Sequence, residues 1–423
     1  MRKINSKLSG FYKLPIEERQ KKISDVCDLN EDDMTILKNF GYFDIETADR
    51  MIENVVGSFQ LPYGIACNFM INNQDYLIPM VTEEPSVVAA ASNAARIARK
   101  QGGFQSDEVK SVMISQIQIT DIPDIDLAKK NILNEKLKIL NHANEQDPLI
   151  NKLGGGAIDI NLREIEIDGN KMLILHLLVN VLDAMGANVV NTMAEALSPL
   201  IEELTGGKVY LRIVSNLAIH RLARCKAVFD KDLLGGEEVV DAIIKAYKFA
   251  KADPYRAATH NKGIMNGITA LTLATGNDTR AIEAGAHAYA SINGKYGPLT
   301  KYTKDENNNL VGEIEIPLAF GIIGGMTKTH PMAQLSLKIL NIESANELSQ
   351  VGAALGLAQN LAALRALVSE GIQKGHMALH SRNIAKMAGI PNEYIEQVAK
   401  ILVEDGKIRV DYAKEVFNKL FKK

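Results

Sequence analysis

The stretch that decides the fold is residues 157–182, AIDINLREIEIDGNKMLILHLLVNVL. Its first part, up to residue 167, alternates apolar and polar residues, as expected for a strand with one buried face. Asp168 and Gly169 then supply the residue pair that favours a tight hairpin turn. The second part, 171–182, is an almost continuous apolar run that predicts the returning strand. The stretch therefore predicts an antiparallel hairpin.

The segments on either side of this hairpin complete a small unit. Residues 109–120 are rich in β-branched side chains and predict a strand, and 125–145 have the apolar spacing of a helix. After the hairpin, 187–204 carry an apolar stripe at helical spacing and end at Gly206, and 208–214 predict the last strand. The order βαββαβ is that of the split ferredoxin-like arrangement.

This unit, residues 109–215, interrupts a larger one. Residues 1–108 and 216–375 are helix-rich and contain many small residues, which allow helices to pack closely. The last stretch, 376–423, predicts a small helical module with a charged surface that begins after Gly375. The predicted fold is α+β: a helix-rich large domain interrupted by a ferredoxin-like domain, with a small C-terminal helical flap.

Composition argues against several classes of protein. The chain has 423 residues, of which 46% are hydrophobic and 23% charged, values typical of globular proteins. The net charge of −3 gives no sign of a nucleic-acid-binding surface. We expect neither a membrane span nor a signal peptide, and the three scattered cysteines fit a reducing, cytoplasmic compartment. His376 and His380 lack the glutamate of a zinc-binding HExxH motif, so no metal is expected.

Residues 83–92, EEPSVVAAAS, place two carboxylates before a proline and a run of small apolar residues. Proline is favourable at the first position of a helix, so the sequence predicts a buried helix over 87–98 that is apolar on nearly every face. A carboxylate desolvated there, such as that of Glu84, can have a raised pKa and deliver a proton near neutral pH. The alternative is ordinary stabilisation of acidic residues by the helix dipole.

The turn at 183–188, DAMGAN, joins the apolar strand to the next helix. The chain contains no GxGxxG, which argues against a Rossmann dinucleotide site. Gly186 permits close approach of a ligand to the backbone, and the helix start offers free N–H groups to a phosphate. Most strand-to-helix turns carry Gly or Asn, so this signal is weak by itself.

Three further residues have types that suit carbonyl chemistry. Lys262 lies in the polar sequence 260–263, predicted as a loop, where its ammonium is either an oxyanion-stabilising group or a solvated surface charge. Asp278 follows Gly-Asn and begins a helix, either as an N-cap or as the partner that keeps a lysine charged. His376 could protonate a leaving thiolate, or be a surface histidine with His380 as its structural partner.

These segments, in this order along the chain, resemble hydroxymethylglutaryl-coenzyme A (HMG-CoA) reductase of the bacterial and archaeal type, class II. Besides the Glu84 segment they are DAMGAN at 183–188, THNKG at 259–263, GNDTR at 276–280 and GHMALH at 375–380. The resemblance runs from Glu53 to about Arg382, which is most of the chain.

The resemblance implies that HMG-CoA and mevalonate plus coenzyme A are interconverted by two hydride transfers, in the mevalonate pathway to isoprenoids. It implies that Lys262 polarises the carbonyl in both steps and that Glu84 protonates the forming alcohol. Asp278 would complete their cluster, and His376 would protonate the thiolate. The implied substrate contacts are Ser86, Arg256, Asn216 and Asn266. The implied contacts to the cofactor are Asp183, Met185, Gly186, Ala187 and Asn188.

The resemblance also implies partners and a cofactor. The partners are HMG-CoA, mevalonate and coenzyme A, in a homodimer or an oligomer of dimers whose active site spans two subunits near 53–57. Lys13 stands where relatives can place an arginine for the coenzyme A phosphate. Asp147 favours NAD(H), because a carboxylate accepts hydrogen bonds from both ribose hydroxyls and repels a 2′-phosphate; NADP(H) is the alternative, and Asp147 can also be an ordinary loop acid.

Two rival interpretations stay open. One is a different acyl-CoA-dependent NAD(P) oxidoreductase on the same scaffold. The other is a non-catalytic relative that binds acyl-CoA. The complete set of candidate catalytic residues argues against the second, because binding alone does not require all four. The direction of the reaction, synthesis or breakdown of mevalonate, is not fixed by the sequence.

Overall fold

The computed structural model describes residues 4–39, 44–369 and 381–421. The helices are α1 (Ile16–Cys27), α2 (Glu31–Lys38), α3 (Ile45–Met51), α4 (Val87–Arg99), α5 (Ile125–Asn134), α6 (Lys136–Asn144), α7 (Pro148–Lys152), α8 (Ala187–Thr205), α9 (Lys231–Leu234), α10 (Glu237–Ala252), α11 (Pro254–Ala274), α12 (Thr279–Tyr289), α13 (Gly325–Thr329), α14 (Pro331–Leu340), α15 (Ala345–Val368), α16 (381–387), α17 (Asn392–Glu404) and α18 (Val410–Phe421). The strands are β1 (Tyr63–Ile71), β2 (Gln74–Val81), β3 (Phe104–Ser106), β4 (Val112–Thr120), β5 (Gly156–Ile167), β6 (Asn170–Asn180), β7 (Lys208–Ser215), β8 (Leu222–Phe229), β9 (Thr300–Lys304) and β10 (Leu310–Pro317).

The smaller of the two sheets confirms the βαββαβ prediction. Its strands lie in the order β5-β6-β4-β7, and all three pairings are antiparallel. The β5–β6 hairpin closes with Ile167 opposite Asn170. Asp168 and Gly169 between them have φ values of 51° and 76°, the left-handed conformations that this tight hairpin turn requires.

The helices of this unit pack against the small sheet. The stripe of α8 buries Val190, Met193 and Leu197, as the spacing predicts. The helix predicted over 125–145 is instead two helices, because α5 ends and α6 begins at Glu135. A further short helix, α7, follows before β5.

The larger sheet has six strands in the order β2-β1-β3-β8-β10-β9. Its pairings are antiparallel except for β1 with β3, which is parallel. The sequence predicted a helix-rich region here and none of these strands. Helices α4, α11 and α15 pack on this sheet and carry the small residues that the sequence indicated.

Helix α15 is the central helix of the large unit. By length and composition it could cross a membrane, but 67% of its apolar window is buried inside the protein. A Cβ atom added to Gly356 would lie 2.8 Å from Ile268 of α11, so the absence of a side chain allows the two helices to approach closely. We therefore interpret α15 as a core helix.

The C-terminal helices α16, α17 and α18 have a hydrophobic core of their own, which includes Ile384, Val398, Leu402 and Val416. The module that the sequence predicts there is thus helical and has a core of its own. Gly375 and the segment with His376 and His380 lie outside the described residues.

Candidate active site

The central contact joins two segments that are 178 residues apart in sequence. Lys262 Nζ donates a hydrogen bond to Glu84 Oε2 at 2.9 Å. The Lys262 side chain is 60% exposed and that of Glu84 is 34% exposed. Both groups are therefore in contact with water, and the predicted desolvation of Glu84 in a buried site is not found. The two side chains form a charge-assisted hydrogen bond at the edge of a cleft.

Glu84 lies in the turn between β2 and α4. Its backbone N–H donates to Thr82 Oγ1 at 3.2 Å, which fixes the turn. Pro85 is not the first helical residue, because Ser86 is the N-cap and α4 begins at Val87. Ser86 has a φ of 74°, which is uncommon for a residue other than glycine and marks local strain. Helix α4 is half-buried rather than apolar on every face, since Ala89 and Arg96 are exposed.

The sequence 260–263 lies within helix α11 and not in a loop, so that prediction is wrong. The reason is tertiary: the polar side chains before Lys262 have partners in the core. His260 Nε2 and Thr300 Oγ1 are 2.6 Å apart. Asn261 donates to the carbonyl of Gly297 at 2.9 Å and accepts from the N–H of Leu299 at 3.0 Å. These bonds offset the low helix propensity of the segment and fix the position of Lys262.

Lys262 faces a cleft of about 240 Å³. Asn266 and Thr269 line it from the same face of α11, at the i+4 and i+7 positions. Glu83 and Glu84 form the opposite side, and Glu283 and His287 contribute from α12. The cleft is smaller than the roughly 300–1,000 Å³ of typical small-molecule sites.

Asp278 does not join the Lys262–Glu84 pair in this chain. It is the N-cap of α12, where Oδ1 accepts from the N–H groups of Arg280 at 2.9 Å and Ala281 at 3.1 Å. It also pairs with the Arg280 guanidinium at 3.1 Å. Burial raises the pKa of Asp278, but the bonds from Arg280 and Ala281 outweigh burial, and the net pKa is lowered. The predicted cluster of three is therefore a pair plus a separate, ionised carboxylate.

The DAMGAN turn is held by the large unit. Asp183 Oδ1 accepts from the N–H of Ala345 at 2.8 Å, at the start of α15. Its carboxylate therefore anchors the turn. Gly186 is the N-cap of α8 with a φ of 96°, and a Cβ there would lie 2.5 Å from Val181. Only glycine fits this position without strain, and Ala187 and Asn188 form the first turn of α8.

Asp147 is the N-cap of α7, and its Oδ1 accepts from the N–H of Ile150 at 3.0 Å. Of the glycines that follow, Gly155 and Gly156 are tightly packed, since a Cβ on Gly156 would lie 2.3 Å from Asn144 Oδ1. Asp147 therefore has a structural role of its own beside any contact to a ribose. Within the described ranges, no group of three His, Cys, Asp or Glu side chains is placed to hold a metal ion.

A family model described as hydroxymethylglutaryl-coenzyme A reductase matches residues 15–381. The chain belongs to the HMG-CoA reductase family. Its relatives include the 3-hydroxy-3-methylglutaryl-coenzyme A reductase of Archaeoglobus fulgidus, 60% identical over 99% of this chain and 96% of that one. A probable HMG-CoA reductase of Borreliella burgdorferi is 39% identical over 88% and 86% of the two chains.

Solved structures place the chain in class II of the HMG-CoA reductases. The HMG-CoA reductase of Streptococcus pneumoniae is 40% identical in sequence, and its structure matches with a TM-score of 0.84. The match covers 97% of this chain and 99% of the other. A class II structure from the same organism, bound to NADPH in open conformations, is 42% identical over 85% of this chain and 99% of its own, with a TM-score of 0.83. The fold class predicted from sequence is thereby confirmed.

The substrate contacts implied for an HMG-CoA reductase lie in different places. Asn266 lines the cleft, and Ser86 is two residues from Glu84. Arg256 is in the first turn of α11; its side chain pairs with no carboxylate among the described residues, and burial lowers its pKa. Asn216 is exposed beyond β7, and its carbonyl oxygen lies against Gly285 of α12. His376 lies outside the described residues.

Sequence reasoning missed part of the cleft wall. Thr269 Oγ1 donates to Glu283 Oε1 at 2.5 Å, and Glu283 Oε2 is 3.1 Å from His287 Nε2. His287 Nδ1 is in turn 2.7 Å from the hydroxyl of Tyr296, which accepts from Asn261. The signal was available, because Glu283 and His287 are four residues apart on a helix next to Asp278.

Proposed function

We propose that this chain interconverts HMG-CoA and mevalonate plus coenzyme A through two hydride transfers from or to a nicotinamide cofactor. One observation carries the proposal: in a chain of this family, Lys262 and Glu84 meet at 2.9 Å on a cleft of about 240 Å³. A cation and an acid side by side can stabilise a developing oxyanion and supply its proton.

The roles follow from the chemistry of each group. Lys262 stabilises the oxygen of the thioester carbonyl in the first reduction and of the aldehyde in the second. Glu84 takes up a proton from water at its exposed edge and transfers it to the alcohol oxygen, and Lys262 then compensates the charge of the deprotonated carboxylate. Asp278, although it does not contact the pair, is proposed as the ionised carboxylate that helps to keep Lys262 charged, and His376 protonates the departing thiolate so that it does not return to the aldehyde.

The carboxylate of the substrate is bound by Arg256 with Ser86, Asn216 and Asn266. Arg256 supports this role because its guanidinium has no carboxylate partner among the described residues and can bind one bidentately. Asn266 supports it by its place in the cleft, one helical turn from Lys262. Lys13, in the short 3-10 helix Phe11–Lys13, is proposed as the contact to the coenzyme A phosphate.

The residues of the DAMGAN turn fit a nicotinamide dinucleotide. The start of α8 has backbone N–H groups that a phosphate can accept from, and Gly186 allows the turn before them to pack closely against Val181. The candidate contacts are Asp183, Met185, Gly186, Ala187 and Asn188. When bound, the cofactor supplies the hydride, and the protein orients it and excludes water.

We propose NADH as the preferred cofactor, with NADPH as the alternative. The second oxygen of Asp147 makes no hydrogen bond within the described part of the chain, so it can accept from a ribose hydroxyl while Oδ1 caps α7. A relative from Streptococcus pneumoniae was solved with NADPH, so the two cofactors must be compared directly.

A homodimer would complete the site. Val56 is 99% exposed and Phe59 is 90% exposed, in the segment just before β1. Phe59 also lines a cavity of about 730 Å³, which shares Val81 and Leu273 with the Lys262 cleft. An exposed apolar group next to an apolar-lined cavity is a candidate surface for a second subunit. We propose that a second subunit covers them in a cytoplasmic enzyme, and that 376–423 close over the thioester.

The proposal is tested by incubating the purified protein with NADH or NADPH and a panel of thioesters: HMG-CoA, acetyl-CoA and acetoacetyl-CoA. We expect cofactor oxidation with HMG-CoA alone and mevalonate as the product by mass spectrometry. Oxidation with a different ester would favour another acyl-CoA oxidoreductase. Binding of HMG-CoA without turnover would favour the non-catalytic relative.

A further inference from the structure

One buried cation lies outside the groups discussed so far. Arg221, between β7 and β8, is 1% exposed and belongs to the largest fully buried side chains of the described residues. Burying a guanidinium is costly unless its N–H groups are satisfied. Here Nη1 donates to the carbonyl oxygens of Ala184 at 3.1 Å and Met185 at 3.2 Å. Nη2 donates to that of Phe320 at 2.6 Å.

All three acceptors are backbone carbonyls, and two of them belong to the DAMGAN turn. Burial lowers the pKa of Arg221 to about 10, while the charge of Asp183 acts in the opposite direction. Arg221 therefore stays protonated at neutral pH. Its Nε atom has no hydrogen-bond partner, so no carboxylate is positioned to form a two-pronged pair with it. The guanidinium serves to bind carbonyl groups.

Other contacts hold the same turn against the segment 320–322. The N–H of Ile322 donates to the carbonyl of Asp183 at 2.9 Å. A Cβ on Gly321 would lie 2.5 Å from the backbone nitrogen of Met185, so the segment 320–322 and the turn are in direct backbone contact at this point. Arg221 reaches both sides of the contact, since it binds Phe320 as well as the turn. Asp183 thus fixes the start of the turn through Ala345 and Ile322, and Arg221 is the side chain that binds the next two carbonyl groups, those of Ala184 and Met185.

We infer that Arg221 is a positioning residue for cofactor binding. Because a peptide group is planar and trans, fixing the carbonyl of Met185 also fixes the N–H of Gly186 on the opposite side. A carbonyl that accepts from a cation makes its own N–H a stronger donor. Arg221 therefore orients and polarises the N–H of Gly186 from the buried side of the turn. This inference rests on the proposed function of the turn.

The test compares Arg221→Met and Arg221→Lys with Arg224→Met as the control. Arg224 is three residues away on β8, with a side chain 51% exposed and an ion pair to Glu315 at 2.5 Å. The dissociation constants for NADH and NADPH are measured by titrating cofactor fluorescence in the absence of substrate. We expect Arg221→Met to weaken cofactor binding at least tenfold. Arg221→Lys should restore part of it, and Arg224→Met should change it less than twofold.

The KM for HMG-CoA separates positioning from general damage, and we expect it to change less than twofold in Arg221→Lys. If Arg221→Met does not fold, Gly321→Ala perturbs the same turn without removing the charge, and it should weaken cofactor binding several-fold. Unchanged cofactor dissociation constants in the folded variants would overturn the inference, whatever their thermal stability. If the parent protein bound neither cofactor, the proposed function itself would fail.

Discussion

Replacing Lys262 by alanine should separate catalysis from stability. The variant loses the ammonium that hydrogen-bonds to Glu84 at 2.9 Å on the cleft. Removing one oxyanion-stabilising donor typically costs about 2.7–4 kcal/mol of transition-state stabilisation, which corresponds to roughly a 100- to 1,000-fold lower kcat. Because Lys262 acts in both reductions, HMG-CoA reduction and mevaldehyde reduction should both fall by this factor.

Stability should change little. The two side chains are 60% and 34% exposed, and exposed ion pairs of this kind contribute about 0–1 kcal/mol to folding. In a chain of this length a loss of that size lowers Tm by no more than about 2 °C. Lys301 provides a matched control, since it pairs with Glu313 at 3.4 Å and the two side chains are 61% and 38% exposed.

The assay measures kcat for both substrates and Tm by scanning calorimetry, in the parent, Lys262→Ala and Lys301→Ala. We expect Lys301→Ala to have the same Tm as Lys262→Ala. Its kcat should equal that of the parent protein. Near-normal mevaldehyde reduction by Lys262→Ala would remove Lys262 from its assigned role. A Tm loss of many degrees would show that the ion pair is structural.

Three other outcomes are expected. Asp147→Ala should lower the ratio of kcat/KM for NADH to that for NADPH at least several-fold; an unchanged ratio would show that Asp147 only caps α7. Burial, aided by the charge of Arg256, lowers the pKa of His260 in the folded protein to about 3. In the unfolded chain the pKa of a histidine is about 6.5, so as the pH falls below this value the unfolded chain takes up a proton that the folded protein does not. His260 should therefore lower the free energy of unfolding by up to about 1.4 kcal/mol for each pH unit between about pH 6 and pH 4. In urea unfolding, the free energy of unfolding of His260→Gln should depend less steeply on pH than that of the parent protein. Phe59→Asp should shift the protein towards monomer in sedimentation velocity and lower its activity, whereas the exposed control Leu137→Asp should do neither.

The small unit could be predicted because its signals are local. The Asp168-Gly169 turn and the alternation before it fix the hairpin, and each helix carries its own apolar stripe. The six-stranded sheet could not be predicted in the same way. Strand β3 has three residues, and β1 is interrupted by an irregularity between Ala66 and Phe69. Pairings that connect distant segments leave little trace in a single window of sequence.

The site was partly predictable for the same reason. Lys262 and Glu84 were found through motifs, and the structure brings them together across 178 residues. The position of Lys262 within a helix was missed because the buried partners of the neighbouring His260 and Asn261 lie far away in sequence. Nothing in the sequence indicates the role of Arg221, since a single arginine before a strand is usually an ordinary surface residue. Only the three carbonyl groups around it show what it does.

The stoichiometry of the reaction tests the central claim most directly. One enzyme preparation is given HMG-CoA and excess cofactor, and oxidised cofactor, free coenzyme A thiol and mevalonate are quantified together. The account predicts two cofactor molecules oxidised for each thiol released and each mevalonate formed, with both reductions lost in Lys262→Ala. One cofactor oxidised per thiol with free aldehyde as the final product, or full turnover without Lys262, would contradict it.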